Sequence, residues 1–296
     1  MSTTTTSGTL FTPELVTGLF SKVQGHSTLA KLCDASPMPF AGTEQFIFSM
    51  DGEASIVGEG LEKPPGKAKF GTKTIKPIKF IYQHRLTDEF VNLSVEKQLP
   101  YMQAFTDGFA KKMARALDIA GFHGVNPYDG EESATVGDNC FVKAVESEIT
   151  YDPAHPDDNI DSAVAPIQEE DGVVSGIAMS PAFGAALGHM KMNDSGTAMY
   201  PEFRFGGKPA SFCGVSCDVN NTLAFGGSAV KAIVGDFAGA FRWGYADHVK
   251  TEIITTGDPD GLGDLKRHNQ IVLRAECYIG WGILDGTSFA LIKATA

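Results

Sequence analysis

The stretch "LPYMQAFTDGFAKKMARALDIAGFHGVNP" constrains this chain more than any other. Met102, Phe105, Phe109, Met113, Ala116 and Ala120 recur at steps of three and four, the spacing of one helix face. Pro100 falls in the first turn, and Gly121, Gly124 and Pro127 supply a stop, so the pattern predicts a helix over about 100–122. At about 1.5 Å per residue that rod is roughly 34 Å long. A rod of this length can serve as a structural spine, and its Met and aromatic stripe reads as core packing rather than as a cofactor site.

Ahead of the rod lies "GTEQFIFSMDGEASIVGEGLEKPPGKAKFGTKTIKPIKFIYQHRLTDEF", in which period-2 segments flank a Gly/Pro-rich tip at Gly58 to Gly66. This predicts a long β-hairpin. Its returning strand carries Lys63, Lys67, Lys69, Lys73, Lys76 and Lys79 with no acid between them. Lysines on an exposed edge serve to block aggregation; a basic projecting loop can equally dock on an acidic patch of another copy. After the rod the sign reverses. Between Asn126 and Gly172 thirteen acids face only Lys143, and "YDPAHPDDNID" within this segment reads as a surface loop from its prolines and charges.

The front of the chain is polar, "MSTTTTSG", then clustered. Thr12 and Pro13 open a short helix to about Val23, and Ser27 caps a second, shorter turn. Further on, Ser180 caps a helix from Pro181 to about Met192, followed by a Gly-rich turn and several short strands. The chain closes on "RHNQIVLRAECYIGWGILDGTSFALIKATA", paired strands that hold Arg274 and Glu276 among apolar neighbours. Helices and strands without regular βα alternation indicate an α+β fold. At 296 residues the chain makes one elaborate domain or two interleaved ones.

A net charge of −12 argues against a chain whose main business is neutralising phosphate. No stretch reads as a signal peptide, and no apolar run reaches membrane length, which predicts a soluble protein made in a cytoplasm and no membrane partner. Cys33, Cys140, Cys213, Cys217 and Cys277 are scattered and lack zinc spacing, so they read as reduced structural thiols. GxSxG, HExxH, P-loop and GxGxxG patterns are missing, and "GDPDGLGDL" fails the ligand positions of a calcium loop and reads as a solvated turn. No enzyme class and no cofactor is suggested.

The order of parts is more specific than any motif. "VGEG" precedes the hairpin tip, "ALD" and "GFHG" end the rod, "MSPAFGAALGHMKMNDSG" and "GDFAGAF" follow, and Arg274 and Glu276 precede Gly280 and "TSFALI". In this order the chain resembles, over nearly its whole length, the major capsid proteins of tailed bacteriophages with the Hong-Kong-97-type fold. The resemblance implies an N-terminal arm at 1–38, an extended loop at 39–82, a peripheral domain at 83–164 around the spine helix, an axial domain at 165–255, and return strands at 256–296 that complete a sheet begun near Ile78 to Arg85.

It further implies a structural head protein of a double-stranded DNA phage, located in the virion and assembled in the bacterial cytoplasm as pentamers and hexamers of an icosahedral shell. The implied partners are further copies, a separate scaffolding protein, a portal, decoration proteins, and packaged DNA held by weak nonspecific contact. Intersubunit contact candidates are Glu59, Lys63, Lys67, Lys69, Lys73, Lys76, Arg274 and Glu276, with the basic hairpin meeting a neighbour's acidic segment. Some members of the family form an isopeptide crosslink. Asn269 and Glu276 match the Asn and Glu positions in spacing, while Thr72 takes the expected lysine place and Lys73 lies one residue beyond. The alternative reading gives Glu276 to Arg274 or Arg85 and lets Asn269 end a turn. An encapsulin-like shell is the nearest competing function, and a soluble α+β enzyme the more distant one.

Overall fold

A computed structural model describes residues 26–51, 54–60, 62–192, 196–246 and 250–295. The helix expected over Pro13 to Val23 lies outside them. The described part opens on α1 (Thr28–Leu32), capped as expected by Ser27, whose side chain accepts from the Ala30 amide. Strand β1 (Ala35–Pro37) leads to the hairpin of β2 (Thr43–Asp51) and β3 (Lys67–Ile75), and β4 (Ile78–Thr87) follows directly.

The spine, α2, runs Val95–His123, 29 residues or about 43 Å, and so starts before the expected Pro100. Ser94 takes the cap position and Glu96 the favourable first turn. Pro100 is therefore the sixth residue, past the first turn, and lacks the amide that would reach back to the Glu96 carbonyl. All six predicted stripe residues are buried. Gly124, at φ 72°, alone caps the end. Gly121 is not part of the stop; it lies inside the helix, where a Cβ would come within 2.6 Å of Leu29 Cδ1. It is the seat on which α1 rests.

Beyond the spine come α3 (Phe141–Ala144), β5 (Ser147–Thr150) and α4 (Pro156–Glu169). The "YDPAHPDDNID" stretch is therefore largely helix rather than loop: Pro156 occupies the first helical position and Asp157 and Asp158 the first turn, where the peptide dipoles favour negative charge. Next are β6 (Gly176–Met179) and α5 (Pro181–His189), with Ser180 accepting from the Phe183 amide as expected. That helix stops three residues short of Met192. The remaining strands are β7 (Lys191–Met192), β8 (Thr197–Ala198), β9 (Ser211–Phe212), β10 (Val215–Val219), β11 (Val230–Gly235), β12 (Phe241–Tyr245), β13 (Lys250–Ile254), β14 (Gln270–Ile283) and β15 (Phe289–Lys293).

Apart from the two-stranded pairs β2-β3 and β7-β8, the strands form two sheets. In the first, β14 is central: β4 runs antiparallel along one side, Gln270 opposite Thr87 through Ile279 opposite Ile78, while β13 and β12 share the other side and β1 lies parallel on β12. The closing strand thus pairs back on residues 78–85 as anticipated. Its odd positions, Leu273, Ala275, Cys277, Ile279 and Trp281, join Phe105, Phe109 and Met113 of the spine in one core. The last strand departs from the expectation. β15 enters the second sheet, ordered β5-β15-β11-β6-β10-β9.

The central strands of that second sheet, β6, β11 and β15, are buried on both faces, which is why they read as near-continuous apolar runs. Ile233, Phe289 and Leu291 face the spine-side core, whereas Ala232, Val234, Ala290 and Ile292 pack with Ile160, Phe183 and Leu187 of α4 and α5.

Candidate functional site

Alternation gives the hairpin two different faces. Phe46 stands opposite Thr72 and Phe48 opposite Phe70, so the three rings share one side, with centroids 5.9 and 5.0 Å from Phe70. They remain 66%, 48% and 69% exposed. Lys67, Lys69 and Lys73 lie on the other side with Ile47. An exposed aromatic cluster of this kind marks a contact surface.

The expected lysine row is shorter than the sequence suggested. Lys63 and Glu59 sit exposed near the hairpin tip, Lys76 falls between strands, and Lys79 is on β4. Lys73 turns inward: its amine donates to the Ile283 carbonyl at 2.5 Å, and partial burial pushes its pKa down. It is tied to the end of its own β14.

The outer face of the first sheet carries the charges that stood out among apolar neighbours. Glu276 lies opposite Ile81, one diagonal step from Lys79, whose Nζ meets Glu276 Oε1 at 2.9 Å and whose pKa the carboxylate raises. Glu276 is therefore partnered by Lys79, and not by Arg274 or Arg85. Arg274 is bracketed across both neighbouring strands, donating to Gln83 Oε1 at 2.8 Å and Glu252 Oε1 at 3.1 Å. Asn269 ends a turn at φ 51°, a left-handed position that asparagine accepts readily, and its carbonyl takes the Asp88 amide at 2.9 Å. Asn269 and Glu276 are seven residues apart on an extended path, about 23 Å. Lys73, Asn269 and Glu276 can meet only if different copies supply them.

Two clusters escaped the sequence reading. The turn at 257–265 is not merely solvated. Arg85 Nε donates to Asp260 Oδ1 and Oδ2 at 3.1 and 2.8 Å, and its Nη2 reaches the Gly263 carbonyl at 2.8 Å. The guanidinium holds the Asp260 carboxyl down to about pKa 2. Second, Asp118 is fully buried on the spine. It accepts from Ser27 Oγ at 2.5 Å, the Thr28 amide at 2.9 Å, the Leu29 amide at 3.2 Å and Thr222 Oγ1 at 3.1 Å, yet burial still pushes it up to about 6. Beside it Asp218 takes Thr28 Oγ1 and Lys31 Nζ, each at 2.6 Å. One carboxylate pair thus fixes the root of the N-terminal segment to the spine and to the loop after β10. The signal in the sequence was an Asp in the run 116–120, whose other four residues are apolar.

Among the described residues no group of His, Cys, Asp and Glu is placed to hold a metal, and no helix of the described part is long and apolar enough to cross a membrane. What the geometry offers is contact surface: a projecting hairpin with two unlike faces, rooted through β4 in a sheet that the end of the chain completes.

Residues 7–294 match the family model of the phage capsid family. The chain belongs to that family. It is a structural capsid protein. Solved structures agree with this capsid family in fold. A chain from Mycobacterium phage Ogopogo is 29% identical with a TM-score of 0.77, covering 91% of this chain and 92% of that one. A chain from Gordonia phage Cozz is 23% identical with a TM-score of 0.73, covering 90% and 86%. The capsid of a native GTA particle shares the fold at 15% identity and a TM-score of 0.61, covering 91% and 90%. Among curated proteins none matches the sequence.

Proposed function

We propose that this capsid protein is the major head protein of a tailed double-stranded DNA phage, closing into pentamers and hexamers of an icosahedral shell around the genome. The observation that carries the reading is the hairpin: its aromatic face is exposed, and an exposed apolar cluster of this kind marks a surface that meets another chain. A second copy supplies that chain most economically, because one subunit repeated by symmetry offers the same acceptor at every position. The cationic face then meets acids of a neighbour's 126–172 segment and sets register rather than bulk affinity.

The role is structural, with no reaction assigned. A separate scaffolding protein guides curvature during assembly in the host cytoplasm, a portal occupies one vertex, and decoration proteins have the outer surface open to them. Packaged DNA touches the inner face weakly and without sequence preference, as a net charge of −12 dictates. Light scattering of purified protein, alone and with the scaffold, followed by negative-stain microscopy, tests this. Megadalton shells or rings of five and six support it, and a compact monomer near 31.5 kDa under every condition refutes it. Nucleic acid rather than enzyme cargo inside the shells separates a phage head from an encapsulin-like compartment.

A further inference from the structure

The loop after β8 carries an unusual residue. Phe205 is fully exposed and sits at φ 56°, ψ 31°, a left-handed conformation that aromatic residues avoid. The loop around it is nonetheless locked. Phe203, two residues before, is buried against Phe212; Arg204 Nε donates to the Gly188 carbonyl at 3.1 Å; and the Gly207 amide returns to the Arg204 carbonyl at 3.0 Å. A strained backbone held rigid so that a phenyl ring projects into solvent has the form of an anchor aimed at a pocket. Its flanks are basic, with Arg204 and Lys208 both exposed.

Two clefts on this half of the molecule could receive such a ring. One, of about 400 Å³, lies directly beside Phe205 and is bordered by Arg204, Lys208 and His189. A neighbour's loop entering it would set Arg204 and Lys208 against their own equivalents, a like-charge meeting. The other, of about 580 Å³, opens between α4 and the β9–β10 hairpin. Ile160, Val164 and Val173 form one wall and Phe212 and Val215 the other, while Asp157 and Asp161 stand at the edge. Phe205 does not line it. Its floor is apolar and its rim acidic, the complement of a phenyl ring between two cations.

We propose that Phe205 of one copy inserts into the α4/β9–β10 cleft of the next copy, with Arg204 and Lys208 meeting Asp157 and Asp161, and that this head-to-tail contact closes the rings of five and six. The inference rests on the shell reading above and names the contact within it. Knob and cleft are different patches of one surface, as a heterologous ring contact requires. Because the anchor is a single ring on a short rigid loop, the same insertion tolerates the small change of angle between a pentamer and a hexamer.

Cys213 provides the test. It lines the cleft at the tip of the β9–β10 turn and is exposed, whereas the other four cysteines are buried. Shells of Phe205→Cys, first confirmed by microscopy, are oxidised with diamide, which accepts the two electrons and two protons released as the thiols join, and are then denatured without reductant. The expected result is a ladder of linked chains ending at five and six, collapsing to monomer on reduction and missing when Cys213→Ser is added. Monomer bands from intact oxidised shells, or a ladder that survives Cys213→Ser, overturn the contact and leave the shell reading standing. Failure of the unaltered protein to form shells or rings sinks the shell reading itself.

A charge exchange covers the case in which Phe205→Cys does not assemble. Arg204→Glu is expected to lower the yield of rings at least tenfold, and Asp161→Arg in the same chain to restore it. A double variant no better than Arg204→Glu alone overturns the pairing.

Discussion

Replacing Asp118 by Asn tests the buried joint between the N-terminal segment and the spine. Burial raises this carboxyl from 3.8 to about 6, despite hydrogen bonds from Ser27, Thr28, Leu29, Thr222 and Asn220. The folded state therefore holds the proton more tightly than the unfolded chain does. Stability from the neutral form is complete below about pH 4 and is lost as pH rises through about 6. A rise of that size corresponds to about 3 kcal/mol. The Asp118→Asn variant does not titrate there, so wild type should gain about 3 kcal/mol relative to it between pH 7 and pH 4. Urea unfolding of unassembled subunits measures the difference, at about 1 M in midpoint for a slope of about 3 kcal/mol/M. Parallel pH profiles for the two proteins would refute the reasoning. Asp118→Ala should cost about 3–5 kcal/mol at neutral pH, because it removes the acceptor of two buried amides and two hydroxyls.

Further outcomes can be checked in the same preparations. Met113→Ala empties a nearly fully buried site between spine and sheet and should cost about 2–5 kcal/mol by urea unfolding. Gly121→Ala drives a methyl to within 2.6 Å of Leu29 and should cost about 1–3 kcal/mol, with Leu29→Ala in the same chain costing less than the sum of the two single changes. Asp260 is depressed to about 2, so the Arg85 clasp contributes above about pH 4 and is lost as pH falls through about 2; amide exchange at 261–265 should stay slow to pH 3 and become fast at neutral pH in Arg85→Ala. Boiled, reduced wild-type particles should run as monomers, since Lys73 is held by Ile283 and Glu276 by Lys79; bands at multiples of the chain mass would show a covalent link between copies.

Local chemistry carried much of the fold into the sequence. The spine announced itself by its 3-4 stripe, and Ser27 and Ser180 marked their helices because a capping side chain acts within three residues. The pairing of the closing strand with residues 78–85 was legible because both stretches alternate and each needed a covered face. Helix α4 resembles a loop in the sequence because Pro156 and its following aspartates suit a loop tip as well as a helix start, and only the burial of Ile160, Ala163 and Ile167 decides between them. The role of Gly121 depends on Leu29, about ninety residues away, and the Lys79–Glu276 pair depends on strand register across nearly two hundred. Neither distance leaves a local trace. The aromatic side of the hairpin was present in the alternation of Phe46 and Phe48, but the more conspicuous lysines masked it. Phe205 carried no signal at all, because its significance lies in a backbone angle.

The position of β14 at the centre of its sheet also orders events on the ribosome. Strand β4, which roots the hairpin, pairs in that sheet, among the described residues, only with residues 270–279, nearly two hundred positions later in the chain. Until they emerge, the projecting element has no firm base from which to present either face to a neighbour. Pairings this distant in sequence are slow to form. A folding chain thus offers its hairpin on a firm base only once residues 270–279 have been made and have paired with β4.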